Sequence, residues 1–178
     1  LLAVAGNPVT PLLQAGRGRV EIVDGARIDL AGRWSNLLLD PSAAQGQAWS
    51  DGGRLQLENS HDVVVGRGSE LSVDAGGRVD SAGKARIGKG GSVSLQANTL
   101  DNAGGEVGRL TLAEDARISA LGQGSGSLSL TDGGHIRIGG DDQAPGVLTL
   151  RSALFGSGFS QYDINAQQGL EVADGPFL

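Results

Sequence analysis

Residues 83–92 read GKARIGKGGS, a near copy of the phosphate-cradling loop G-x-x-x-x-G-K-[ST]. The first six positions and Lys89 fit, but the last is Gly90, and Ser92 comes two residues late. A phosphate loop joins a strand to a helix whose N-terminus helps hold the anion. Here the following residues, GGSVSLQA, alternate polar and apolar, which is the pattern of a strand. Glycine-led strands of the same kind recur at Gly52-Gly53, at Gly133-Gly134 and at Gly126, with no lysine. The stretch therefore reads as a glycine corner before a strand rather than a nucleotide site.

Other residues could carry chemistry. His61 and His135 each open a strand, in SHDVVV and GGHIRI. Ser60, His61 and Asp62 are neighbours in sequence, whereas a catalytic triad needs groups that converge in space. One histidine per potential site is also thin for a catalytic zinc. Asp132, Asp141 and Asp142 could approach one another if TDGG and GGDD occupy adjacent corners, which would suit calcium or polysaccharide cleavage. The calcium-binding nonapeptide G-G-x-G-x-D-x-U-x is absent. Both tryptophans, Trp34 and Trp49, fall in GRWSNLLLDPSAAQGQAWSDGG. Exposed tryptophan suits sugar faces and protein interfaces. The alternative is that Trp34, Leu37, Leu38, Leu39 and Trp49 form a small core of their own. Phe155, Phe159 and Tyr162 make a second aromatic group, open to the same two readings. The weak ligand-binding candidates are thus Trp34, Trp49 and Tyr162, with no catalytic residue, metal site or cofactor expected.

Composition narrows the classes. The chain has 178 residues, 31 glycines, 3% aromatic residues and no cysteine. Disulfides, thiolate metal sites and cysteine nucleophiles are excluded. A net charge of −6 argues against a nucleic-acid surface, which should be basic. No run approaches the ~18 apolar residues of a membrane span. There is no methionine, even at position 1, so residues 1–178 read as one segment of something longer.

The elements that must position these residues are short strands: RVEIV, RLQLE, SVSLQ, RLTLA, SLSLT, HIRIG, VLTLR and GLEVA, each with apolar residues two apart. No segment sustains a helical period. A step of eight links Val20 to Ile28, Leu110 to Ile118 and Leu128 to Ile136, and a series of eights runs Leu55, Val63, Leu71, Val79, Ile87. Val93, Leu110, Leu128, Leu148 and Leu170 stand 17, 18, 20 and 22 residues apart, a quasi-period of ~19. From Ile28, Leu71 and Ile118 the next glycine-led strand lies 27, 22 and 10 residues on, so one arm of the repeat is fixed and another takes insertions. Stacked repeats tolerate such insertions because a loop bulges outward without disturbing the ladder. The expectation is an all-β fold: a right-handed parallel β-helix, a solenoid of ~19-residue coils, with residues 33–50 emerging as an insertion.

SELSVDAGGRVDSAGKARIGKGGSVSL, with ARIDLAGRW and DGGRLQL before it, resembles the repeat region of filamentous-haemagglutinin-type exoproteins, the adhesins of two-partner secretion. The resemblance is clearest from residue 18 to about 138. It implies a parallel β-helix, export through an outer-membrane two-partner secretion transporter, and a secreted or cell-surface location. The family's secretion domain typically carries an NPNL-type motif, and this chain has NPVT at 7–10. The expected role is a structural and adhesive segment that is not an enzyme, with a host glycan or receptor as ligand. A carbohydrate- or receptor-binding module and a polysaccharide-cleaving enzyme are the alternatives.

Overall fold

The computed structural model describes residues 18–39, 49–59, 61–97, 107–124, 126–140 and 144–173. These residues are mostly strand, with one four-residue helix. Three successive stretches of chain visit the same three sheets in the same order. The first contributes β1 (Arg19–Ile22), β2 (Arg27–Asp29) and β4 (Arg54–Glu58), with β3 (Trp34–Asn36) between the last two. The second contributes β5 (Asp62–Val65), β6 (Glu70–Ser72) and β9 (Ser92–Gln96), with β7 (Gly77–Val79) and β8 (Ala85–Ile87) interposed. The third contributes β10 (Leu110–Leu112), β11 (Arg117–Ser119) and β12 (Gly126–Asp132). After these come β13 (His135–Ile138), β14 (Val147–Leu150), α1 (Ser152–Phe155), β15 (Phe159–Ala166) and β16 (Gly169–Val172).

The first sheet has the order β1-β5-β10, the second β2-β6-β11, and the third β4-β9-β12-β15. A fourth sheet has the order β14-β13-β16, and every pair in these four sheets is parallel. β14 lies on the side of β13 away from β16 and touches β10. The remaining sheet, β3-β7-β8, differs: β3 joins β7 in parallel, but β7 and β8 form an antiparallel hairpin.

Registers align the aliphatic side chains into columns. Val20, Val63 and Leu110 are partners, as are Ile28, Leu71 and Ile118. In the third sheet Leu55, Val93, Leu128 and Tyr162 form one column and Leu57, Leu95, Leu130 and Ile164 the next. Alternation sends these side chains to one face, where Val63, Val65, Leu95, Leu128 and Leu130 are essentially inaccessible. Each such side chain stabilises the fold by about 1.5–3 kcal/mol through burial.

Corners are tied by carboxylates that reach across one strand spacing. Asp24 Oδ1 accepts the Arg67 N–H at 2.8 Å and Asp51 Oδ1 that of Lys89 at 2.8 Å. Asp62 Oδ1 accepts the Arg109 N–H at 2.9 Å and Asp74 Oδ1 that of Leu121 at 2.7 Å. These four aspartates thereby satisfy backbone donors on the neighbouring stretch of chain. Close approach explains Gly91, where a Cβ would fall on the carbonyl oxygen of Gly53.

Two expectations are corrected. The ~19-residue coil is about half of the true repeat: Val20 and Val63 are 43 residues apart, Val63 and Leu110 are 47, and Leu128 and Tyr162 are 34. The spacing near 19 arose because strands of different sheets share one alternating pattern. Leu148 and Leu170 accordingly flank Ile136 rather than continuing the column of Leu128. The series of eights also ends early. Ile87 pairs with Gly77 in the hairpin and stays exposed, because residues 80–84 reverse the chain.

Candidate binding surface

The hairpin is built by its turn. Asp80 Oδ1 accepts the N–H groups of Lys84 (2.9 Å) and Ala82 (3.0 Å), and Gly83 N donates to Asp80 O at 3.0 Å. Gly83 supplies φ = +80°, a conformation costly for other residues. The hydrogen bond from Lys84 N–H holds the Asp80 carboxyl below its ordinary 3.8, against a smaller burial penalty. The bond from Ala82 and the charges of Arg78 and Lys84 lower it further. The near phosphate loop is therefore this turn plus β8, and the strand β9 follows it.

The register sorts the hairpin sheet into two faces. Trp34, Gly77 and Ile87 lie side by side, as do Asn36, Val79 and Ala85. Ser35, Arg78 and Arg86 occupy the opposite face. Trp34 is 56% exposed, and its ring covers Gly77, where a Cβ would sit 2.6 Å from Cζ3. Trp49 is 37% exposed and covers Gly88 in the same way, with Cζ3 at 3.0 Å from the Cβ position. Gly88 N donates to Gly76 O at 2.8 Å, so both indoles border one β7–β8 pair. Leu38, which lies against Gly83, and Ile87 add exposed apolar surface. Leu37 is buried while Leu38 and Leu39 are exposed, so the separate small core anticipated for this stretch is confined to Leu37. Residues 40–48 of the 33–50 insertion lie outside the described residues.

Arg78 and Arg86 face each other directly across the hairpin, an unfavourable like-charge pair. Neither makes an ion pair among the described residues. Beside them, Ser35 is buried with its Oγ lacking a hydrogen-bond partner. Sequence reasoning missed both arginines. The signal was available: VDSAGKA joins GRV to ARI by a turn with glycine near its end, which makes 78 and 86 partners.

Tyr162 is placed elsewhere and spent on structure. Its hydroxyl donates to Phe155 O at 3.0 Å, and its ring contacts Phe155 and Phe159 at centroid distances of 5.0 and 6.2 Å. Burial pushes its pKa above the ordinary 10.0. The aromatic group fastens α1 to β15 and does not join the tryptophans.

The remaining candidates disperse. His61 precedes β5 and His135 opens β13, while Ser60, Asp141 and Asp142 lie outside the described residues. Asp132 is fully buried and accepts Leu110 N–H (2.7 Å), Gly134 N–H (3.2 Å) and Arg109 Nε (3.1 Å). Arg109 also donates through Nη2 to Gly146 O. This arrangement clamps β10 to the β12–β13 corner. Among the described residues no group of three or more His, Cys, Asp or Glu could hold a metal ion. No described helix is long and apolar enough to cross a membrane. Comparison with protein-family models, curated proteins and solved structures returns no match to this chain.

Proposed function

We propose that the chain is a right-handed parallel β-helical segment of a filamentous-haemagglutinin-type exoprotein, serving as a stiff adhesive shaft at the bacterial surface. The observation that carries this reading is the repeated order of sheets. Parallel, in-register strands return after 34 to 47 residues, while the excursions around β3 and the β7–β8 hairpin leave the columns intact. Right-handedness follows from the crossover rule for parallel strands. The parent protein would leave the cell through a two-partner secretion transporter, and the role is mechanical rather than enzymatic.

The second reading, a carbohydrate- or receptor-binding module, is favoured by Trp34 and Trp49, which both border one hairpin. Sugar rings and apolar protein surfaces both stack on such indoles. Glycan-array and host-cell binding of the wild type and of a Trp34→Ala/Trp49→Ala variant tests the contact. Binding that disappears in a variant with unchanged thermal unfolding supports adhesion through the hairpin. Equal binding by both proteins assigns adhesion to another surface. Absence of binding to any glycan or cell leaves a shaft without an adhesive face and overturns the adhesive half of the proposal.

A further inference from the structure

We propose that the open edge of β11 is a docking slot for an extended peptide of the pattern acidic, aliphatic, small polar, which adds to the second sheet as a fourth strand. The third sheet has four strands, and β14 touches β10 beyond the first sheet. The second sheet stops at β11, where α1 stands instead of a strand. Between β11 and α1 lies a cavity of about 320 Å³ walled by Leu112, Ala116, Ile118, Leu150, Ala153 and Leu154.

The backbone facing this cavity is an unpaired strand edge. Arg117 N donates to Ser69 O, and Ser119 O accepts from Val73 N, so residues 117 and 119 face β6. Alternation turns the N–H and C=O of Ile118 the other way, into the cavity. Neither finds a partner among the described residues. Farther along the same edge, Ala120 N donates to Ser157 O at 2.9 Å, which closes that end. At the other end the Glu114–Arg151 ion pair, 2.9 Å, ties the turn after β10 to the residue before α1. A strand edge left in this state is a template for another strand.

The side chains specify which strand. Arg27, Glu70 and Arg117 are register partners, a row of alternating charge in which Glu70 pairs with Arg27 and the last cation makes no ion pair among the described residues. Ile28, Leu71 and Ile118 form the inner row, and Asp29, Ser72 and Ser119 the third. A fourth strand continues these rows best with a carboxylate over Arg117, an aliphatic side chain over Ile118, and a small polar residue over Ser119. α1 is the weakest wall of the slot: one helical turn with no side-chain cap on its first N–H groups.

The probe is the acetylated and amidated hexapeptide SELSVD, a copy of Ser69–Asp74, which β11 already pairs with on its other edge. Titration into the whole chain, read by calorimetry, should show saturable one-to-one binding. The same peptide N-methylated at the serine after leucine should bind about tenfold more weakly, because it offers no donor to Ile118 C=O. SKLSVD should bind about threefold more weakly than SELSVD, and an Arg117→Glu variant should reverse that preference. No binding of SELSVD at millimolar concentration overturns the proposal. So does equal binding of the N-methylated peptide, which would make the cavity a simple apolar pocket. A charge preference unchanged in Arg117→Glu removes the assignment of the acidic position.

Discussion

β6 (ELS) and β8 (ARI) are both three-residue strands that carry one large aliphatic side chain. Leu71 of β6 is buried, whereas Ile87 of β8 is exposed. β6 has parallel neighbours on both edges and columns above and below its leucine, while β8 has a single antiparallel partner and an open edge. Burial in this molecule is decided by how many chain segments stack on a strand, not by the residue pattern within it. Surfaces available for recognition arise where stacking stops.

The largest test of this contrast is Asp132→Ala. It removes the acceptor of two backbone N–H groups and strands Arg109 in a clamp between stacked segments. A loss of about 3–5 kcal/mol is expected in urea unfolding. Next, Leu95→Ala in a stacked column should cost about 3 kcal/mol, and Ile87→Ala in the hairpin less than about 1 kcal/mol. Equal costs would break the comparison. Trp34→Ala should lower stability by about 1 kcal/mol or less, since over half of the side chain is already in water. The smallest effect is acidic. The lowered carboxyl of Asp80 gives the turn stability that is fully present above 3.8 and fades as pH falls through the depressed value. Tryptophan fluorescence should show a step below that pH which Asp80→Asn abolishes. A step retained by Asp80→Asn would assign it to another carboxylate.

Much of this was legible in the sequence. The step of eight from Val20 to Ile28, from Val63 to Leu71 and from Leu110 to Ile118 is the step from the first sheet to the second, visible because the turn between them keeps its length. The length of the whole repeat was not legible. The insertions between other sheets differ, and SVSL and VLTL read alike though they belong to different sheets. Trp34 and Trp49 were found by their rarity, and the structure sets both against the β7–β8 hairpin. The packing of Tyr162 was not legible, because nothing local announces that its hydroxyl meets the carbonyl of Phe155. Arg78 and Arg86 were missed because the chain reversal was read as another rung.

The position of β14 has a consequence for how the chain acquires its fold. β13 precedes β14 in sequence, yet β14 touches β10 and occupies the flank of β13 away from β16. The first three sheets grow by adding each strand to one formed a repeat earlier, and β13 has no such earlier partner. It opens a sheet that holds no earlier strand, so both of its flanks stay unpaired until β14 and then β16 follow it. From β5 to β12 each strand of the first three sheets can join one formed before it, whereas β13 depends on strands that follow it.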